Sequence, residues 1–186
     1  RVEDRVRDLI RKHDETSREI EKRIRDSIKR LADVLDKIRK AIDDLIRKLR
    51  EAVEDLLRKI GKDDEDKARE LKEEVDRAIE RLRRELERLK REVERIIEKN
   101  EEILRRLREE SERVKRELDE ARRRKLSEKE VEDLARKIEK LNEDLRRRLE
   151  KLDKENKDVI RRLEDALRRL AEEIKRLIDE LRERAR

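Results

Sequence analysis

The chain has no cysteine, proline, methionine, glutamine or aromatic residue, and a single glycine, Gly61. Each absence closes a class of structure or chemistry. Without cysteine there can be no disulfide and no thiolate metal site, and the redox compartment is unreadable. Without proline nothing interrupts a helix from within. Without aromatics there is no platform on which a base could stack. No apolar run approaches the roughly 18 residues of a membrane span, and no signal-peptide pattern opens the chain. The expectation is therefore a soluble protein with no membrane role and no targeting signal, as from recombinant cytoplasmic expression. The start at Arg1 with no methionine anywhere is what a trimmed product would show.

What is present is charge and aliphatic carbon. Lys and Arg number 61 and Asp and Glu 55 in 186 residues, 62% charged, yet the net charge is only +6. Leu, Ile and Val together make 50 residues, about 27% of the chain and above the ~20% level that marks disorder. Most of these residue types are strong helix formers, so an all-α chain is predicted. A pI near 9.5 invites a nucleic-acid reading. Acids and bases interleave throughout, however, so no one-signed stripe is apparent and no nucleic-acid partner is expected.

Helix breakers occur in two places. In KIGKDDEDKARE, Gly61 follows the last apolar residue, where a left-handed C-terminal cap favours glycine. Asp63 or Asp64 then offers an N-cap oxygen. In RRRKLSEKEVEDL, Ser127 and Glu130 form an S-x-x-E capping box, with Leu126 and Val131 spaced as a hydrophobic staple. These signals predict helices at about 2–60, 64–124 and 128–185, with turns at about 61–63 and 125–127. Each helix would be on the order of 90 Å long.

The aliphatic stripe of the first segment runs Val2, Val6, Leu9, His13, Thr16, Ile20, Ile24, Ser27, Leu31, Val34, Ile38, Ile42, Leu45, Leu49, Val53, Leu56, Ile60. Its mean step is about 3.6 residues, and the other two segments give the same period. A strict 3.5 repeat would drift around a straight helix by about 20° per heptad. A 3.6 period, or 18 residues in five turns, stays on one face. Short turns make successive helices antiparallel neighbours. The predicted fold is thus an up-down-up antiparallel three-helix bundle of nearly straight helices, one domain over residues 1–186.

Outside the charged and aliphatic sets, and leaving Gly61 aside, nine residues remain: His13, Thr16, Ser17, Ser27, Asn100, Ser111, Ser127, Asn142 and Asn156. All but the cap Ser127 fall on or beside the apolar stripes. With turns centred near 62.5 and 125.5, residue n of the first helix lies level with about 125 − n on the second and n + 126 on the third. His13 then faces about 112 and 139, close to Ser111 and Asn142. Ser27 faces about 98 and 153, close to Asn100 and less tightly Asn156. Two polar layers are expected: His13, Thr16, Ser17, Ser111 and Asn142 in one, and Ser27, Asn100 and Asn156 in the other. A buried polar group without a partner costs about 1–3 kcal/mol, so such layers penalise misaligned registers.

The 18-residue stripe, the loop LSEKEVEDL, the Arg/Lys/Glu/Asp surface and the layers at His13/Ser17/Ser111/Asn142 and Ser27/Asn100/Asn156 together resemble computationally designed parametric helical bundles with buried hydrogen-bond networks. The likeness covers the whole chain and rests on style, with no family motif behind it. It implies a very stable monomeric scaffold without evolved activity, catalytic residues, metal or cofactor, and with no required partner. A departure is that both networks fall in one half.

Sharper readings are weak against this. A di-metal bundle needs Glu-x-x-His pairs and zinc needs three or four ligands, whereas His13 is the one histidine. Asn100, Asn142 and Asn156 lack the Ser or Thr two positions on that glycosylation needs. The alternative function is an interaction module that self-associates or accepts a fourth helix, motivated by doubled apolar positions such as Leu9–Ile10 and Ile96–Ile97. Lipid binding in the manner of the exchangeable apolipoproteins lacks its proline punctuation and interfacial aromatics. A spectrin-like repeat lacks its tryptophan and its heptads.

Overall fold

The computed structural model describes residues 1–61 and 64–185. Three α-helices account for nearly all of them: α1 (Val2–Ile60), α2 (Glu65–Arg123) and α3 (Glu128–Arg184), of 59, 59 and 57 residues. The fold is an all-α three-helix bundle. Each helix begins with acidic residues and ends with basic ones, Glu3 and Asp4 against Arg58 and Lys59 in α1 for instance, which complements the helix dipole.

The ends follow from local chemistry. Gly61 takes φ +72°, and its N–H donates to the Leu57 carbonyl at 3.3 Å, closing α1 in a left-handed cap. A Cβ at Gly61 would meet nothing within 4 Å, so glycine is required there by its backbone conformation and not by space. The Asp64 carboxylate accepts the Lys67 N–H at 3.2 Å and caps α2. Asp63, the other candidate for that cap, lies outside the described residues. The Ser127 hydroxyl accepts the Glu130 N–H at 3.3 Å, and Leu126 and Val131 are half-buried and buried on either side of the cap.

The chain forms two compact units, one of residues 1–31 with 96–157 and the other of 32–95 with 158–186. Each takes a piece of all three helices. The start of α1 joins the end of α2 and the start of α3, the pairing that antiparallel neighbours require. Along α1 every position of the aliphatic stripe is buried except Val2, Val34, Val53 and Ile60, which are half-covered.

In the first unit two aliphatic clusters draw on all three helices. One holds Leu9, Leu118, Ala135 and Ile138, and the other Ile20, Ile24, Leu104, Leu107, Leu145, Leu149 and Leu152. In the second unit the buried positions are aliphatic throughout: Ile38, Ile42, Leu45, Ile46, Leu49, Ala52 and Leu56 from α1, with residues such as Leu82, Leu89, Leu163 and Leu181 from the other helices. Each fully covered Leu or Ile stabilises the fold by about 1.5–3 kcal/mol. An exposed i,i+4 ion pair such as Glu102–Arg106 contributes only about 0.3–0.5 kcal/mol. The apolar stripe decides the fold.

Candidate functional site

The chemically distinctive groups all lie in the first unit, on the same helical period as the aliphatic residues around them. On α1, His13 follows Leu9 by four residues and precedes Ile20 by seven, so its layer falls between the two aliphatic clusters. The ring is 2% exposed. Its Nε2 lies 3.2 Å from the Ser111 hydroxyl, 3.4 Å from the Ser111 carbonyl and 3.5 Å from the Ser17 hydroxyl. Its Nδ1 lies 3.4 Å from Asn142 Oδ1. The Ser17 and Ser111 hydroxyls are 2.8 Å apart. The last is a short hydrogen bond; the ring contacts at 3.4–3.5 Å are long and correspondingly weak.

One proton order that satisfies this set places the ring N–H on Nδ1. Nδ1–H donates to Asn142 Oδ1, the Ser111 hydroxyl donates to Nε2, and the Ser17 hydroxyl donates to Ser111 Oγ. Ser17, Ser111 and Asn142 are half-buried, so the layer runs from a dry ring to a partly wet rim. Thr16 is buried at the same level, but the bonds of the network run through His13, Ser17, Ser111 and Asn142.

The second layer is built differently from the expectation. Asn100 and Asn156, 1% and 4% exposed, form a reciprocal amide pair: Asn156 Nδ2 donates to Asn100 Oδ1 at 2.8 Å, and Asn100 Nδ2 donates back to Asn156 Oδ1 at 3.4 Å. Asn100 Nδ2 also donates to the Ile96 carbonyl one turn earlier at 2.6 Å. Ser27 does not join this pair. Its hydroxyl donates to Asp153 Oδ1 at 3.1 Å, and Asp153 Oδ2 accepts from Arg23 at 3.0 Å. Asp153 was missed among 55 carboxylates, although 153 is the very position that level-matching assigns opposite Ser27. Its side chain is only 18% exposed, and the Arg23 guanidinium and Ser27 hydroxyl hold both of its oxygens.

Among the described residues no buried side-chain nitrogen or oxygen is left without a hydrogen-bond partner. That is the arrangement in which a polar core costs least, since an orphaned group forfeits its full solvation. What these layers can do chemically is limited by their burial. The ring itself is closed from solvent, and the layer meets water only through the half-buried Ser17, Ser111 and Asn142. Among the described residues, three or more His, Asp or Glu side chains do not converge as for a metal ion. Beside the first layer, a shallow groove of about 370 Å³ between α2 and α3 is floored by Val114, Leu118, Leu134, Ile138 and Leu141. An ion pair between Lys137 and Glu117, at 3.6 Å, spans its two walls. No helix among the described residues is long and apolar enough to cross a membrane.

Against known proteins the chain has no counterpart at the level of detection: no family model, no curated protein and no solved structure matches it.

Proposed function

We propose that the chain is a structural scaffold of designed origin, a monomeric and highly stable three-helix bundle of coiled-coil type with no natural biochemical activity, in which the polar layers select one register. The observation that carries this reading is the reciprocal Asn100–Asn156 pair, buried and satisfied on both sides. An aliphatic stripe that repeats every 18 residues is nearly self-similar, so sliding one helix past another by one turn keeps Leu and Ile in contact. The same slide parts the two asparagines. At about 1–3 kcal/mol for each orphaned amide, a slipped register is disfavoured by about 2–6 kcal/mol from this pair alone. The His13 layer adds a second penalty with a different shape, so the two act as separate keys.

Origin by design is supported by the economy of the sequence. Polar uncharged residues serve as caps or as layer members and are found nowhere else. Every large hydrophobic side chain among the described residues is at least half-covered within one chain, which supports a monomer. The same observation weighs against the second reading, a module that self-associates or takes a fourth helix, because little apolar area is left for it.

The test is a layer-free variant, His13→Leu, Ser17→Ala, Ser111→Ala, Asn142→Leu, Asn100→Leu and Asn156→Leu. The parent should elute at one mass near 23.0 kDa by light scattering and give one set of backbone amide resonances. The variant should stay helical but show extra resonance sets or masses as registers multiply. A single set and single mass from the variant would mean the layers do not choose the register.

A further inference from the structure

We propose that the outer face of α3 in the first unit binds the phosphodiester backbone of a nucleic acid, single- or double-stranded, without regard to base sequence. The proposal is independent of the scaffold reading and rests on where charge falls once the helix is formed.

Acids and bases interleave along the chain, but a helix sorts them by angle. At 100° per residue, Arg136, Lys140, Arg147, Lys151 and Lys154 fall within one strip about 60° wide, opposite the buried stripe of Ile138, Leu145, Leu149 and Leu152. All five are exposed. They form a ladder 18 residues long, or about 27 Å. Asp133 precedes the ladder and Asp158 follows it in the same strip, and Glu143, Asp144, Glu150 and Glu155 lie along its edges, but no acid interrupts it between Arg136 and Lys154.

The structure separates this ladder from other basic columns on the molecule. On α1, Arg7, Arg11, Arg18, Lys22, Arg25 and Lys29 also share a face, yet Arg11, Arg18 and Arg25 are engaged by acids of their own helix, Asp8 at 2.7 Å, Asp14 at 3.5 Å and Glu21 at 3.6 Å, so its cations without an ion pair do not follow one another. On α2 a longer exposed column runs Arg77, Arg81, Arg84, Arg88, Arg91, Arg95 and Lys99, but Arg81, Arg84 and Arg88 are held by Glu173, Glu80 and Glu85, so its longest run without an ion pair is the three cations Arg91, Arg95 and Lys99. Flanking the ladder, Lys137 and Arg148 turn inward to Glu117 and Glu110. The five ladder cations themselves have no carboxylate at ion-pair distance among the described residues. The first unit as a whole carries 32 Lys and Arg against 27 Asp and Glu, so five of the six net charges reside there.

A straight row of five free cations matches a linear polyanion. Guanidinium and ammonium groups pair with phosphate oxygens, and the gain comes from release of condensed counterions. Without aromatic residues there is nothing to stack on bases, hence no sequence preference. An anionic membrane is the poorer match, because the ladder has no exposed large hydrophobic beside it to enter the acyl region.

The experiment is fluorescence anisotropy of the intact chain with labelled random-sequence 20-nucleotide single strands and 20-base-pair duplexes at 50 to 200 mM salt. Two variants of equal charge change are compared, both verified as helical by circular dichroism: the ladder variant R136Q/K140Q/R147Q/K151Q/K154Q and the control R11Q/R18Q/K22Q/R25Q/K29Q. The expected result is binding to at least one of the two probes at 50 mM, weakened a few hundred-fold at 200 mM, since log affinity against log salt should slope near −4 for the duplex. The ladder variant should bind at least about ten-fold more weakly than the control at every salt, with a shallower slope. Absence of binding to both probes at 50 mM, a smaller difference between the variants, or binding to phosphatidylserine vesicles with none to either probe would overturn the proposal. If the ladder variant fails to fold, K140Q/R147Q/K151Q against R18Q/K22Q/R25Q is read by the same ratio, with a threshold of about four-fold.

Discussion

The two units are made from the same three helices on the same 18-residue period, and they fill their cores in different ways. In the first, α1 buries His13, Thr16 and Ser27 among its aliphatic residues, and α2 and α3 supply Asn100 and Asn156. In the second, every buried side chain on all three helices is Leu, Ile, Val or Ala. An aliphatic core gains stability per area buried but is indifferent to sliding by a turn. A polar layer adds little net stability and is intolerant of sliding. Under the scaffold reading proposed above, a division of labour is expected: both units gain stability from aliphatic burial, and the first also selects the register.

The largest expected effect tests the stability half of this comparison. Ile24 and Ile42 are both fully buried and 18 residues apart, one in each unit. Either one changed to Ala should lose about 2–5 kcal/mol in denaturant melts. In hydrogen exchange the losses should differ. Ile42→Ala removes one of many aliphatic contacts in a core without polar groups. Ile24→Ala weakens a cluster that sits beside a polar layer, and should speed exchange across 20–31 and 96–107 before it reaches the second unit. Uniform acceleration in both units from both variants would remove the distinction drawn here.

The next effect concerns alignment. Asn100→Leu leaves the Asn156 amide without its partner and should cost about 1–3 kcal/mol. Adding Asn156→Leu should recover most or all of that loss, because two apolar groups of similar shape replace the pair. The recovery in a double-mutant cycle is the measurement that matters, since a merely structural asparagine would give additive losses. Ser111→Ala is expected to be milder, on the order of 1 kcal/mol. The His13 ring can exchange its tautomer and donate Nε2–H to the Ser111 carbonyl, which the substitution leaves in place, when the Asn142 amide turns so that its NH2 donates to Nδ1.

Which of these features could be read from the sequence depends on whether the signal was a pattern or a choice among equals. The helices and their ends were legible because a 3.6-residue stripe, one glycine and one S-x-x-E box have few competing explanations. The heights of the layers were legible for the same reason, since antiparallel helices with short turns leave only simple arithmetic. What hydrogen-bonds to what within a layer was not. Ser27 lies level with Asp153 and within reach of it, but nothing distinguishes Asp153 from the other carboxylates until Arg23 is seen to neutralise it. Thr16 shows the converse: it occupies a layer position, yet its neighbours Ser17 and Ser111 carry the bonds. The charge columns were hidden for a simpler reason. Residues adjacent in sequence point 100° apart on a helix, so interleaved signs along the chain separate into ladders on its surface.

The smallest effect compares one ion-pair motif placed in each unit. Asp8 accepts from Arg11 and is also approached by Lys12, and Asp44 stands in the same relation to Arg47 and Lys48. In both, the hydrogen bond from the arginine three residues on is the main cause that holds the carboxyl below its usual value of 3.8. A lowered folded value means the stabilisation is present above pH 3.8 and disappears as the pH falls through the folded value, so any loss appears only below about pH 4. Both carboxylates lie at the surface, their side chains 34% and 42% exposed, so the contribution is small and screened by salt. Asp8→Asn and Asp44→Asn should therefore flatten the acid limb of the stability curve slightly and equally at low ionic strength, and neither should do so at 1 M salt. A surface pair is indifferent to what fills the core beneath it. Unequal effects from the two variants would show instead that the polar and aliphatic cores transmit surface charge differently.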